Sequence, residues 1–190
     1  MTATELPTAE LVGCRAAEIL VAIEGDSEFP AFEAATLEYS SDWQCFTGFP
    51  TIERWNLDTD KGPLLTEGLR AIALKAAVFA LTGDERAAEV ALPVPVDEMT
   101  HAMIAQPQLL ARIAARTGFT LIHQTDQEHT DYIAGGYTHA AYLTAWGEPP
   151  TRYWLDKAEV DRRLAIFAAK YDSIGMNRSG REHQITFAAA

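Results

Sequence analysis

Between Pro63 and Leu81 the apolar residues Leu65, Leu69, Ile72, Ala76 and Phe79 recur on one side of a helix over about five turns. A helix of that length carries an apolar stripe too long to leave in water, so other elements must pack along it. Pro63 suits a first helical position, and Thr82-Gly83 provides the stop. The remaining periodic segments are also helical in spacing. Thr8 to Ile23 places Leu11, Cys14, Ala17, Ile19, Leu20 and Ile23 at near-helical intervals, entered through Pro7-Thr8 and closed by Gly25-Asp26. These two segments form the scaffold of an all-α fold, a single compact domain of about six helices with short extended pieces.

The rest of the chain reads as shorter helices between turn signals. Ala31 to Glu38 suits a short helix, and Ser40 to Asp42 with Thr47-Gly48 mark turns that leave Trp43, Phe46, Phe49 and Trp55 to cap the core. Asp84 to Val90 adds one helical turn. Pro93-Val94-Pro95 then predicts an extended stretch that delivers Asp97 as the N-cap of a helix over Glu98 to Ala105. A further helix from Pro107 closes at Thr117-Gly118, and Phe119 to His123 is extended. The spacing predicts a helix over Gln127 to Trp146, with Gly135 and Gly136 inside it, and a last one from Asp156 to about Lys170. Residues 1–172 are read as the domain, and 173–190 as a tail that docks onto it or stays partly disordered.

Charge narrows the partners. Fifteen Lys and Arg residues against 27 Asp and Glu give a formal net charge of -12, which repels phosphate backbones and anionic lipid. Neither nucleic acid nor a membrane surface is expected as partner, whereas a homo-oligomer is compatible with the composition. Cys14 and Cys45 share no CxxC spacing and read as small core residues. No basic leader or long apolar run is present, and a cytoplasmic protein of bacterial type is expected.

Four of the five histidines, His101, His123, His129 and His139, fall within 39 residues of one another. Asp97 and His101 are four apart, on one face of a helix, where a carboxylate can orient an imidazole standing behind a metal. His123 follows by a path short enough to fold back against His101. His129 or His139 would supply a third imidazole, a set that suits zinc, iron or copper with one position left open. The spacing matches no tight motif such as HExxH. The same residues also suit a plainer role, with Asp97 as a cap and the histidines as hydrogen-bonding core residues. Tyr132, Gly136, Tyr142 and Trp146 share the neighbourhood of His139 and could line a pocket. No GxGxxG, phosphate loop or GxSxG elbow occurs, so no nucleotide cofactor is expected.

The run Leu92-Pro93-Val94-Pro95-Val96-Asp97-Glu98-Met99-Thr100-His101, a helical connection to Gly118, and Phe119-Thr120-Leu121-Ile122-His123 resembles the core of the glycine-rich domain-containing protein-like family. That family's pattern has Val-Asp, two variable residues and Trp-His, then a helix and Gly, then Phe-Ile-His-His with a proline soon after. The likeness covers about thirty residues, with a weaker echo from Tyr142 to Trp154. Thr100 stands where the family has Trp, Gln124 where it has the second histidine, and Thr125 where the proline region begins. The resemblance implies a fold neighbourhood and a place for polar residues, and carries no reaction with it.

Three functions remain open at the level of sequence. The leading one is a metal-dependent enzyme acting on a small molecule or peptide, hydrolytic or oxidative, with His101 and His123 as ligands, His129 or His139 as the third, and Asp97 orienting them. The second is a non-catalytic helical protein that binds a ligand or partner through an apolar surface. The third is a metal-free enzyme in which His101 or His123 acts as general base beside Asp97.

Overall fold

Asn56 starts the central helix. In the computed structural model, which describes residues 5–39, 51–123, 130–171 and 182–188, its side chain accepts from the backbone N–H of Asp58 at 3.0 Å. Eight helices are formed among these residues: α1 (Ala9–Glu24), α2 (Phe29–Tyr39), α3 (Leu57–Thr82), α4 (Glu85–Ala88), α5 (Val94–Ile104), α6 (Pro107–Thr117), α7 (Tyr137–Trp146) and α8 (Lys157–Tyr171). The fold is all-α. Among the described residues the one β pairing is an isolated bridge between Asn56 and Glu182. No described helix is long and apolar enough to cross a membrane.

Helix α3 is the axis of the molecule. It is buried nearly all round, from Leu64 and Leu65 through Leu69, Ile72 and Leu74 to Val78. Helices α1, α2, α4, α5 and α7 pack against it, and α1 packs against α7 as well. A smaller cluster of Phe167, Ile185 and Phe187 fastens residues 182–188 to α8. The helix begins six residues before the expected Pro63, which sits inside it. Two features hold the first turns in place despite the lost hydrogen bond of an interior proline, which costs on the order of 3 kcal/mol. Asn56 caps the helix, and Asp60 in its first turns is held by Arg152 at 2.7 Å and by the Tyr153 hydroxyl at 2.8 Å.

Three other expectations are corrected. Cys14 is exposed, as is Leu11, because α1 buries Val12, Ala16, Ile19, Leu20 and Ile23 instead. Asp97 is not the N-cap of its helix; α5 starts at Val94 after Pro93, and Pro95 falls in the first turn, where its missing N–H is not needed. Of the long helix predicted over Gln127 to Trp146, the described residues from 130 onward form only α7. Gly135 takes φ +78°, a left-handed turn ahead of Gly136, which caps α7. The preceding backbone is bound elsewhere, with Lys157 N–H donating to Tyr132 O at 2.9 Å and Ala134 N–H to Asp156 at 3.0 Å. Trp55 is buried, as expected; Trp43, Cys45, Phe46 and Phe49 lie outside the described residues.

Candidate metal centre

Helix α5 carries the first two site residues. Asp97 and His101, one turn apart, point the same way, with Asp97 Oδ2 and His101 Nε2 3.7 Å apart. This separation is too long for a hydrogen bond. It is close to the roughly 3.4 Å between two donor atoms that share a tetrahedral ion at about 2.1 Å. Thr100, buried beneath this turn, donates from its hydroxyl to Asp97 O at 2.7 Å and ties the start of the turn to its end.

His123 arrives from the other side. Gly118 ends α6 in a left-handed conformation, and Phe119 and Ile122 then anchor the extended chain in the core. The rings of His101 and His123 meet edge to face with centroids 4.8 Å apart. Donor atoms of Asp97, His101 and His123 all lie within 4.8 Å of one another, a group of three that could hold a metal ion. Asp97 thus stands level with the two imidazoles, as a third donor. Asp97 is the buried member, its side chain 7% exposed against 36% for His101, and His123 is half-buried.

Two neighbours were not foreseen from the sequence. Glu98 Oε2 lies 3.4 Å from His101 Nδ1. Lys75, in the middle of α3, is buried and donates both to Glu89 and, at 3.2 Å, to His123 Nδ1. Among the described residues, three carboxylates, Glu89, Asp97 and Glu98, therefore gather around one ammonium and two imidazoles, an excess of negative charge that suits a cation. The signal in the sequence was Lys75 itself, a lone charge in the apolar run Ala73-Leu74-Lys75-Ala76-Ala77.

His139 is placed elsewhere and is no member of this group of three. Its Nδ1 is 2.7 Å from the Tyr132 hydroxyl, and its Nε2 is 3.7 Å from the exposed carboxylate of Glu148. Burial, with the charges of Asp156 and Glu148, pushes the Tyr132 phenol up to about 12, so its hydroxyl keeps its proton at neutral pH. Tyr132, Tyr142 and Trp146 form a packed aromatic cluster around Trp154, with centroids 5.2 Å from Tyr132 to Trp154, 4.8 Å from Tyr142 to Trp154 and 5.1 Å from Tyr142 to Trp146. The carboxylate of Glu67 sits inside it, accepting from the Tyr142 hydroxyl at 2.7 Å and from Trp154 Nε1 at 2.8 Å. His129 lies outside the described residues.

The chain matches no protein-family model, and no curated protein or solved structure is significantly similar to it.

Proposed function

We propose that the protein is a metal-dependent enzyme acting on a small molecule or peptide, with Asp97, His101 and His123 as its metal ligands. The convergence of these three donor atoms within 4.8 Å carries this reading. Two nitrogens and one oxygen suit zinc, iron or copper, and three protein ligands leave a coordination position for water or substrate. A bound ion would supply an activated water if it is zinc, or redox chemistry if it is iron or copper. His101, at the open edge of the group, marks the side from which substrate approaches. Asp97 lends a carboxylate oxygen whose negative charge offsets part of the charge of a divalent ion.

Cobalt titration of metal-free protein tests the assignment. About one equivalent per chain, with the visible absorption of a low-coordinate nitrogen and oxygen site, is expected, and both uptake and absorption are expected to vanish in Asp97→Asn and His101→Ala. Wild-type protein that takes up no cobalt contradicts it.

One observation favours a second reading. Lys75 already engages Nδ1 of His123. In a metal-free enzyme that contact would fix the His123 ring while His101, beside Asp97 and Glu98, acts as general base. Turnover retained after exhaustive chelation and abolished by His101→Ala would distinguish it.

A further inference from the structure

Lys75 is the least expected side chain in the helical core. Its side chain is 2% exposed and that of its partner Glu89 1% exposed. A buried ion pair of this kind rarely stabilises a fold more than an apolar pair of the same volume, because desolvating each ion costs several kcal/mol. Its position is the informative part. The ammonium touches one of the three side chains that can hold a metal, 3.2 Å from Nδ1 of His123.

Whichever nitrogen of His123 were to coordinate, Lys75 opposes it. A charged lysine has three donors and no acceptor, so at this distance it takes the Nδ1 lone pair and leaves the ring hydrogen on Nε2. Coordination through Nδ1 requires Lys75 to give up that lone pair. Coordination through Nε2 moves the ring hydrogen to Nδ1, where an N–H then faces an ammonium. In most metal sites the remote ring N–H meets a carboxylate or a carbonyl. Here a cation stands where that acceptor belongs, and the carboxylate, Glu89, lies one step further out.

We propose that Lys75, retained by Glu89, is a cation lock on the metal centre. The inference rests on the reading of Asp97, His101 and His123 as metal ligands. While Lys75 donates to His123 the imidazole is withheld, and an ion enters by breaking that hydrogen bond, with Glu89 keeping the displaced ammonium paired. The lock acts as a filter. Zinc and copper, which bind imidazole strongly, displace Lys75, whereas oxygen-seeking magnesium and calcium gain too little from His123 to do so.

The test compares the full chain with the double variant Lys75→Met, Glu89→Gln, which keeps the buried volume and leaves no ion unpaired. Zinc affinity is measured by competition with a chromophoric chelator, and the imidazole tautomers of the metal-free proteins by nitrogen–proton correlation spectra. The double variant is expected to bind zinc tighter by on the order of tenfold or more. In metal-free wild type, His123 is expected to carry its hydrogen on Nε2. Zinc bound equally well, or more weakly, by a folded double variant overturns the lock and leaves the metal centre standing; zinc bound by neither protein contradicts the centre itself. The wild-type spectrum needs no variant: a His123 hydrogen on Nδ1 overturns the proposal even where the double variant fails to fold.

Discussion

Gly68 of α3 lies so close to Met99 of α5 that a Cβ on residue 68 would stand 2.7 Å from Met99 Cγ. The same atom would meet Met103 Cε at 2.9 Å. The close crossing matters for the site, because Met99 sits between Asp97 and His101 on α5. Absence of a side chain at residue 68 sets how near two of the three candidate ligands come to the core of the molecule.

Gly68→Ala is therefore expected to overpack the α3–α5 crossing, lowering stability by about 1–3 kcal/mol in urea denaturation. Relief comes from the Met99 and Met103 side chains or from α5 itself, and a shift of α5 is expected to lower zinc affinity as well. A variant as stable as wild type with unchanged affinity would show that the crossing has slack.

Lys75→Met alone strands the carboxylate of Glu89 in the core, where its side chain is 1% exposed. Removing one partner of a buried pair costs about 3–5 kcal/mol, and much of that loss is expected to return when Glu89→Gln is added. Denaturant midpoints of the two single variants and the double variant form the cycle that measures it. Purely additive losses would mean that the two side chains do not depend on each other.

The aromatic cluster offers an independent check on the core. The Tyr142 hydroxyl donates to Glu67 at 2.7 Å, and Glu67 also accepts from Trp154 at 2.8 Å and from Arg70 at 2.9 Å. Tyr142→Phe removes both the hydrogen bond to this buried carboxylate and the one that the hydroxyl accepts from Arg70, and is expected to cost about 1.5–3 kcal/mol in guanidinium unfolding, with zinc binding unaffected. A loss under half of the lower figure would mean that water or Arg70 replaces the phenol.

At the surface, Arg116 bonds both Asp26 and Glu28, and Arg112 bonds Glu28, tying α6 to the turn between α1 and α2. The hydrogen bond from Arg116 holds the Asp26 carboxyl down to about 2 from 3.8, and those from Arg112 and then Arg116 hold Glu28 down to about 2 from 4.5. Depressed folded-state values mean that the contribution is complete above the unfolded values and is lost as pH falls toward about 2. The melting-temperature difference between wild type and Arg112→Ala, Arg116→Ala is thus expected to be flat above about pH 5 and to shrink between pH 4.5 and 2. A difference that grows on acidification would reverse this assignment.

What could be read from the sequence follows from how local each signal is. Thr8 and Gly118 mark helix ends through their own backbone partners, so α1 and α6 begin or end where those residues say. Asp97 and His101 share a face in any helix that contains both, and they do so although the start of α5 was misjudged. Pro63 and Pro95 misled because a proline reports which hydrogen bond is missing and says nothing of the tertiary contacts that make its absence tolerable. Helix α1 turned its Val12 and Ala16 face inward because α3 and α7 pack there, which left Cys14 in water. Glu89 and His123 reach Lys75 across 14 and 48 residues of chain. No periodicity links them, and only the topology of α3, α4 and the segment after α6 brings them together.

Elemental analysis of tag-free protein purified without chelator, wild type beside His101→Ala and His123→Ala, is the most direct test that Asp97, His101 and His123 form a metal centre. Near-stoichiometric zinc, iron or copper in the wild type, lost in both variants while their folds persist, is the expected result. Wild-type protein that carries no metal, takes up none when it is added and gains no thermal stability from it would contradict the assignment.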